Sequence, residues 1–186
     1  MNRYVLLTIG KTHSGKSTFA NEIISEIPNG VILETDPIAL FLRATFPNLH
    51  ALDMDHSGGF SSPSLKFLMF RTILTFALEQ DFNIVMSNSN MYEKGRKDVL
   101  DIIKKYRHKT IGVYFNYPEE ILLERVEKSE RDIKVLRVSK DFKDLVINQR
   151  MRFQAPNKND FDYFFEIANP TELLRIQKTI VELVKQ

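Results

Sequence analysis

The sequence predicts an α/β fold, a parallel β-sheet with helices on both faces, and three observations predict it. Short apolar runs alternate with longer segments of helical periodicity along the 186 residues. Most of the short runs are apolar throughout instead of alternating, as in strands buried on both faces. The first run leads straight into GKTHSGKS at residues 10–17, a glycine-rich stretch of the kind that joins a strand to a helix.

Composition narrows the class. A chain of 186 residues suits one domain over 1–186, and 43% hydrophobic with 27% charged residues is an ordinary globular balance. The formal net charge of +2 is too small to argue by itself for a nucleic-acid or membrane surface. Without cysteine there are neither disulfides nor thiolate metal sites. The opening MNRYVLLTIGK is too short an apolar run for a signal peptide, and no stretch approaches about 18 apolar residues. A cytoplasmic protein with no membrane partner is expected.

The elements follow in order. Tyr4 to Ile9 reads as the first strand, and 16–27 as a helix with Phe19, Ala20, Ile23, Ile24 and Ile27 on one stripe. Residues 30–34 read as the second strand, after which Asp36 and Pro37 have the form of a helix N-cap with proline at N1. The stretch 46–64 is rich in turn chemistry and reads as a long loop. A helix is expected over 63–80, a strand over 83–87 and a helix over 92–107, with Asn90 and Glu93 at capping-box spacing. KKYRHK, up to residue 109, reads as a helix C-terminus dressed with cations. A strand over 110–116, helices over 118–129 and 140–153, a strand over 163–167 and a helix over 171–185 complete the pattern.

In such sheets ligands gather at the carboxyl ends of the strands, so the loops after each strand carry the functional expectation. Gly10, Gly15, Lys16 and Ser17 complete G-x-x-x-x-G-K-[ST]. Glycines let successive backbone N–H groups turn inward toward phosphate oxygens, and the following helix adds its positive end. The whole run Gly10, Lys11, Thr12, His13, Ser14, Gly15, Lys16, Ser17 and Thr18 is expected to bind ATP. Lys16 would reach the β- and γ-phosphates and the Ser17 hydroxyl would ligate Mg²⁺. His13 sits where the pattern accepts any residue, so it reads as a bystander.

Asp36 lies just past the second strand, where a carboxylate could take the proton of an attacking hydroxyl. Ser87 and Asn88 come directly off the third strand and could line an acceptor pocket. That strand lacks the acidic pair of a motor ATPase. Arg125 shares a helix face with Ile121 and Leu122 and so points with its apolar neighbours. Arg131, Lys134 and Arg137 crowd a segment that reads as a lid over about 129–140, closing on the triphosphate. Gln149 falls on the apolar stripe Phe142, Leu145, Val146 and Phe153, which implies an inward polar contact. In the 46–64 loop His50, Asp53, Asp55 and His56 could form a metal site, although a substrate-binding element is favoured.

LLTIGKTHSGKSTFANEI, ETDPIALFL, IVMSNSNMYEKGRKDVL and ERVEKSER together resemble a group of small P-loop kinases. The group includes the polynucleotide 5′-kinase, zeta-toxin-like proteins and related ATP-binding kinases labelled AAA. The similarity runs over residues 3 to 155. It implies a three-layer fold with a five-stranded parallel sheet in order 2-3-1-4-5, and Mg²⁺-dependent phosphoryl transfer from ATP. It also carries over Lys16, Ser17, Asp36, Arg125 and Arg131, with Arg43, Asn88 and Asn90 on the acceptor side. In the polynucleotide kinase an arginine follows the catalytic aspartate by three residues; here that position is Ala39, with Arg43 a turn further on. Asn88 stands where the group has an acidic residue. The expected reaction is therefore transfer to a nucleoside, nucleotide or other small hydroxyl compound, with nucleic acid the less favoured acceptor. The alternatives are a polynucleotide 5′-hydroxyl kinase and a non-catalytic nucleotide-binding regulator.

Overall fold

The computed structural model describes residues 3–52, 60, 62–130 and 139–186, and of 50–52 the backbone alone. Five strands form one parallel sheet in the order β2-β3-β1-β4-β5: β1 (Arg3–Gly10), β2 (Gly30–Leu33), β3 (Asn83–Met86), β4 (His108–Phe115) and β5 (Tyr163–Ile167). Five parallel strands in the order 2-3-1-4-5, with helices around them, are the fold of P-loop nucleotide-binding kinases, as the sequence implied.

The central strand explains the uninterrupted apolar run. Its alternate side chains serve two cores: Tyr4 and Leu6 pack with α1 (Lys16–Ile24) and α8 (Leu173–Lys185) on one face. Val5, Leu7 and Ile9 pack on the other face with α2 (Thr35–Thr45), α4 (Leu65–Glu79) and α5 (Glu93–Ile103). Both faces of β1 and β3 are buried, but β2 and β5 are edge strands and only partly covered. The expectation of two-sided burial thus holds for the centre of the sheet and not for its rims. Among the described residues the remaining α-helices are α3 (Pro47–Leu52), α6 (Glu119–Glu127) and α7 (Phe142–Arg152).

Several expectations need correction. Residues 35–45 and 47–52 are helical, so the supposed loop 46–64 begins with α3; residues 53–59 and 61 lie outside the description. Asp36 is not the N-cap: Glu34 holds that position, and Asp36 stands in the first turn of α2. The Asn90–Glu93 capping box does not form, since the N-cap of α5 is Tyr92 and makes no side-chain cap bond. The cationic run to residue 109 begins as the expected helix end, with Lys104 the C-cap of α5, but its last two residues do not belong to it. Helix α5 ends at Ile103, and His108 and Lys109 already belong to β4, because β1 pairs from Arg3 onward and extends its neighbour to match. Among the described residues no helix is long and apolar enough to cross a membrane.

Candidate nucleotide and acceptor site

The strand order reverses on either side of β1, and the loop at its carboxyl end, residues 10–17, sits at that switch point. Gly10 is required by space. A Cβ there would lie 2.9 Å from Ser14 Oγ and 3.0 Å from Phe115 Cβ. Gly15 is required by conformation: at φ 92° and ψ 11° it is left-handed and turns the loop into α1. His13 also has a positive φ of 59°.

The loop is held from three sides. Gly10 N–H donates to Ser89 O at 3.0 Å, and Thr8 Oγ1 donates to Met86 O and Asn88 O at 3.2 and 3.1 Å. Asn90 closes that side, its amide donating to Thr8 O at 2.8 Å. On the second side Gln149 Oε1, on α7, accepts from Thr12 N–H at 2.7 Å, the inward contact its position in the sequence implied. The His13 ring packs edge-on against Phe142 with centroids 4.7 Å apart, so His13 is a packing residue between loop and α7. On the third side Arg125, from α6, donates to His13 O at 3.3 Å and stacks over the Tyr117 ring at 4.6 Å. Burial pushes the Tyr117 phenol up, against the pull of Arg125.

Lys16 Nζ donates to Lys11 O at 2.6 Å and Ser14 Oγ at 3.1 Å, folded along the loop it belongs to. Ser17 Oγ accepts from Ser87 Oγ at 3.4 Å, which ties the end of β3 to the first turn of α1. Asn88 Oδ1 accepts from both Thr35 N–H and Thr35 Oγ1 at 2.9 Å, fixing the start of α2 and with it Asp36.

These elements surround a cavity of about 660 Å³. Thr12, His13, Gly15, Lys16, Ser17 and Thr18 line it from the phosphate loop and α1, Asp36, Ala39, Leu40 and Arg43 from α2, Lys66 from α4, and Asn88 from just past the end of β3. The sequence therefore brought Lys16, Ser17, Asp36, Arg43 and Asn88 to one space. Asn90 is the exception on the acceptor side: it does not line the cavity, and its amide is engaged in holding β1. Arg125 reaches the phosphate loop, its guanidinium 3.6 Å from where a Gly15 Cβ would be. Arg131 and most of the 129–140 segment lie outside the described residues, as do Asp53, Asp55 and His56. Lys66 was not singled out, because it is remote in sequence from every other wall residue and lies in no motif. Among the described residues no group of three or more His, Asp or Glu is arranged to hold a metal ion. A magnesium ion bound as part of a nucleotide complex does not need one, since phosphate oxygens and waters supply most of its ligands.

Residues 5–156 match the family model described as AAA domain. No curated protein matches the sequence at a significant level. Among solved structures, a sugar kinase from Janibacter aligns with a TM-score of 0.62 at 15% identity, over 98% of this chain and 95% of that one. Kti12 from Chaetomium thermophilum, solved with ADP and AlF3, aligns at 0.63 and 13% identity over 97% and 98%. A gluconokinase from Sinorhizobium meliloti aligns at 0.58 and 16% identity over 98% and 95%. At these identities the likeness is one of fold.

Proposed function

The chain belongs to the AAA domain family, and from that premise we propose that it is an ATP-dependent kinase acting on the hydroxyl of a small molecule. One observation carries the reading: residues of the phosphate loop and Asp36 line the same cavity. Its likeness in fold to a sugar kinase and a gluconokinase supports it.

In the proposed reaction the loop amides and Lys16 hold the β- and γ-phosphates of ATP. Lys16 exchanges its bonds to Lys11 O and Ser14 Oγ for phosphate oxygens. Asp36 accepts the acceptor's proton as the hydroxyl oxygen bonds to the γ-phosphorus; the bond from that phosphorus to the bridging oxygen breaks, and ADP leaves. Arg125 offsets charge on the transferring group from the loop side. Bound Mg²⁺, held on the protein side by Ser17, would neutralise charge on the phosphates. Residues 1–186 act as one kinase domain, with 129–140 as a lid that brings Arg131 to the triphosphate.

The acceptor is small in this reading. Ala39 places a methyl group where a phosphate-gripping cation would serve a polynucleotide end. Transfer of labelled γ-phosphate from ATP to a panel of nucleosides, sugars, polyols and a 5′-hydroxyl oligonucleotide tests the proposal. Labelling of at least one small hydroxyl compound is expected. No transfer to any acceptor, with ATP bound, would favour a nucleotide-binding regulator; efficient labelling of the oligonucleotide alone would restore the polynucleotide reading.

A further inference from the structure

We infer that the acceptor carries a phosphate of its own, held by Arg43 and Lys66 in the cavity that the phosphate loop also lines. The inference rests on the kinase reading and names the acceptor class for that same site. Among the described residues lining the cavity are three cations, Lys16, Arg43 and Lys66, and one carboxylate, Asp36. Lys16 belongs to the donor side, where it bonds within the loop. The other two line the cavity from elsewhere, Arg43 in the last turn of α2 and Lys66 in the first turn of α4. The Lys66 ammonium lies 4.3 Å from the centroid of the Phe67 ring, a cation–π contact beside the cavity.

Spacing decides what kind of molecule fits. Asp36 and Arg43 are seven residues apart on one helix, so they project the same way, about 10 Å apart along its axis. Between them Ala39 and Leu40 give the wall an apolar stretch. An acceptor with its reactive hydroxyl at Asp36 would thus lay a carbon stem over Ala39 and Leu40 and put its far end between Arg43 and Lys66. A phosphate monoester brings a charge of about −1.5 to −2 at pH 7 and three acceptor oxygens, which suits two cationic donors. A neutral polyol offers such donors hydroxyl acceptors but no charge. The same spacing holds the acceptor's phosphate away from the Asp36 carboxylate, so that the base and the anion do not repel each other at contact range.

The test separates this inference from the donor reading. The protein is first saturated with Mg²⁺ and the non-hydrolysable analogue AMP-PNP, which fills the phosphate loop, and inorganic phosphate is then titrated calorimetrically. Phosphate should bind the analogue-filled protein, and its Kd should rise at least tenfold in Lys66→Met and in Arg43→Met. Lys66→Gln serves as a second, polar replacement should the methionine variant fold poorly. In transfer assays, ribose 5-phosphate should exceed ribose in kcat/KM by about a hundredfold or more, and the ratio should collapse in the Lys66 variants. Analogue binding with no phosphate binding, phosphate binding indifferent to both substitutions, or equal use of the matched acceptors would overturn the inference alone. Failure of the analogue to bind would overturn the donor reading and this inference with it.

Discussion

Gln149 Oε1 accepts a hydrogen bond from the Thr12 backbone N–H at 2.7 Å, joining helix α7 to the phosphate loop across 137 residues of sequence. Both residues are buried, so the bond is made out of competition with water. Replacing Gln149 by leucine leaves a buried N–H without an acceptor, at a cost of about 1–3 kcal/mol. Gln149→Leu should therefore lower stability in urea unfolding by that amount and weaken ATP-analogue binding through a less ordered loop. Gln149→Glu should keep the acceptor but add a negative charge at the phosphate site, so nucleotide affinity should fall more than stability does. Unchanged stability in Gln149→Leu would show that the contact does not hold the loop.

Lys16 and the donor step. Lys16→Met removes two hydrogen bonds made by a charged donor, both to residues of the loop itself. The fold should survive that loss, because none of the core residues depends on it, while phosphoryl transfer should disappear. Near-normal transfer in a folded Lys16→Met protein would refute the assignment of the loop to the donor phosphates.

For Asp36 the expected split is between binding and chemistry. The residue is exposed to the cavity in the first turn of α2, where Asn88 fixes the helix start through Thr35. Asp36→Asn keeps the geometry and removes the base, so transfer should fall by about 10²–10⁴ with ATP-analogue affinity nearly unchanged. A drop of only a few-fold would reduce Asp36 to a favourable charge at the helix N-terminus.

How far the sequence could be read depended on whether a residue's partners were local. The phosphate loop was legible because its chemistry sits in eight consecutive residues, and Asp36 because it follows a strand. Gln149 was legible for another reason: an amide on an apolar stripe must bond inward. Asn90 was misread because capping-box spacing is a local signal, whereas its actual partner is Thr8 O on a neighbouring strand. His108 was misread for the same reason, since the start of β4 is set by pairing with Arg3 of β1 and not by its own cationic neighbours. Lys66 reaches the cavity only because α4 packs beside α2, a tertiary fact with no periodic trace.

Arg125 should separate turnover from affinity. Its guanidinium lies over Tyr117 and donates to His13 O of the phosphate loop. Arg125→Ala should lower kcat more than it raises the KM for ATP, and Arg125→Lys should restore little, since lysine lacks the planar stacking fork. The same split is expected for Arg131. Limited proteolysis of the free protein should cut within 129–140 and slow when AMP-PNP is bound. Equal cleavage with and without the analogue would count against a closing lid.

Acid stability should depend on His108, which does not line the cavity. His108 is buried at the start of β4, with Nε2 3.0 Å from Phe82 O and Nδ1 buried without a hydrogen-bond partner. Burial lowers its pKa below the ordinary 6.5, and the Phe82 carbonyl offsets part of that. With Phe82 O as acceptor, Nε2 carries the proton of the neutral ring and Nδ1 has none. The folded state therefore favours neutral imidazole, while the unfolded chain takes up a proton near pH 6.5. The stabilising contribution is complete above the unfolded pKa and is lost as pH falls from there through the folded value. Thermal unfolding should show Tm declining from about pH 7 toward pH 5, and the decline should be shallower in His108→Gln, which keeps a donor for Phe82 O and cannot titrate. Parallel pH profiles for the two proteins would show that protonation of His108 does not govern acid stability.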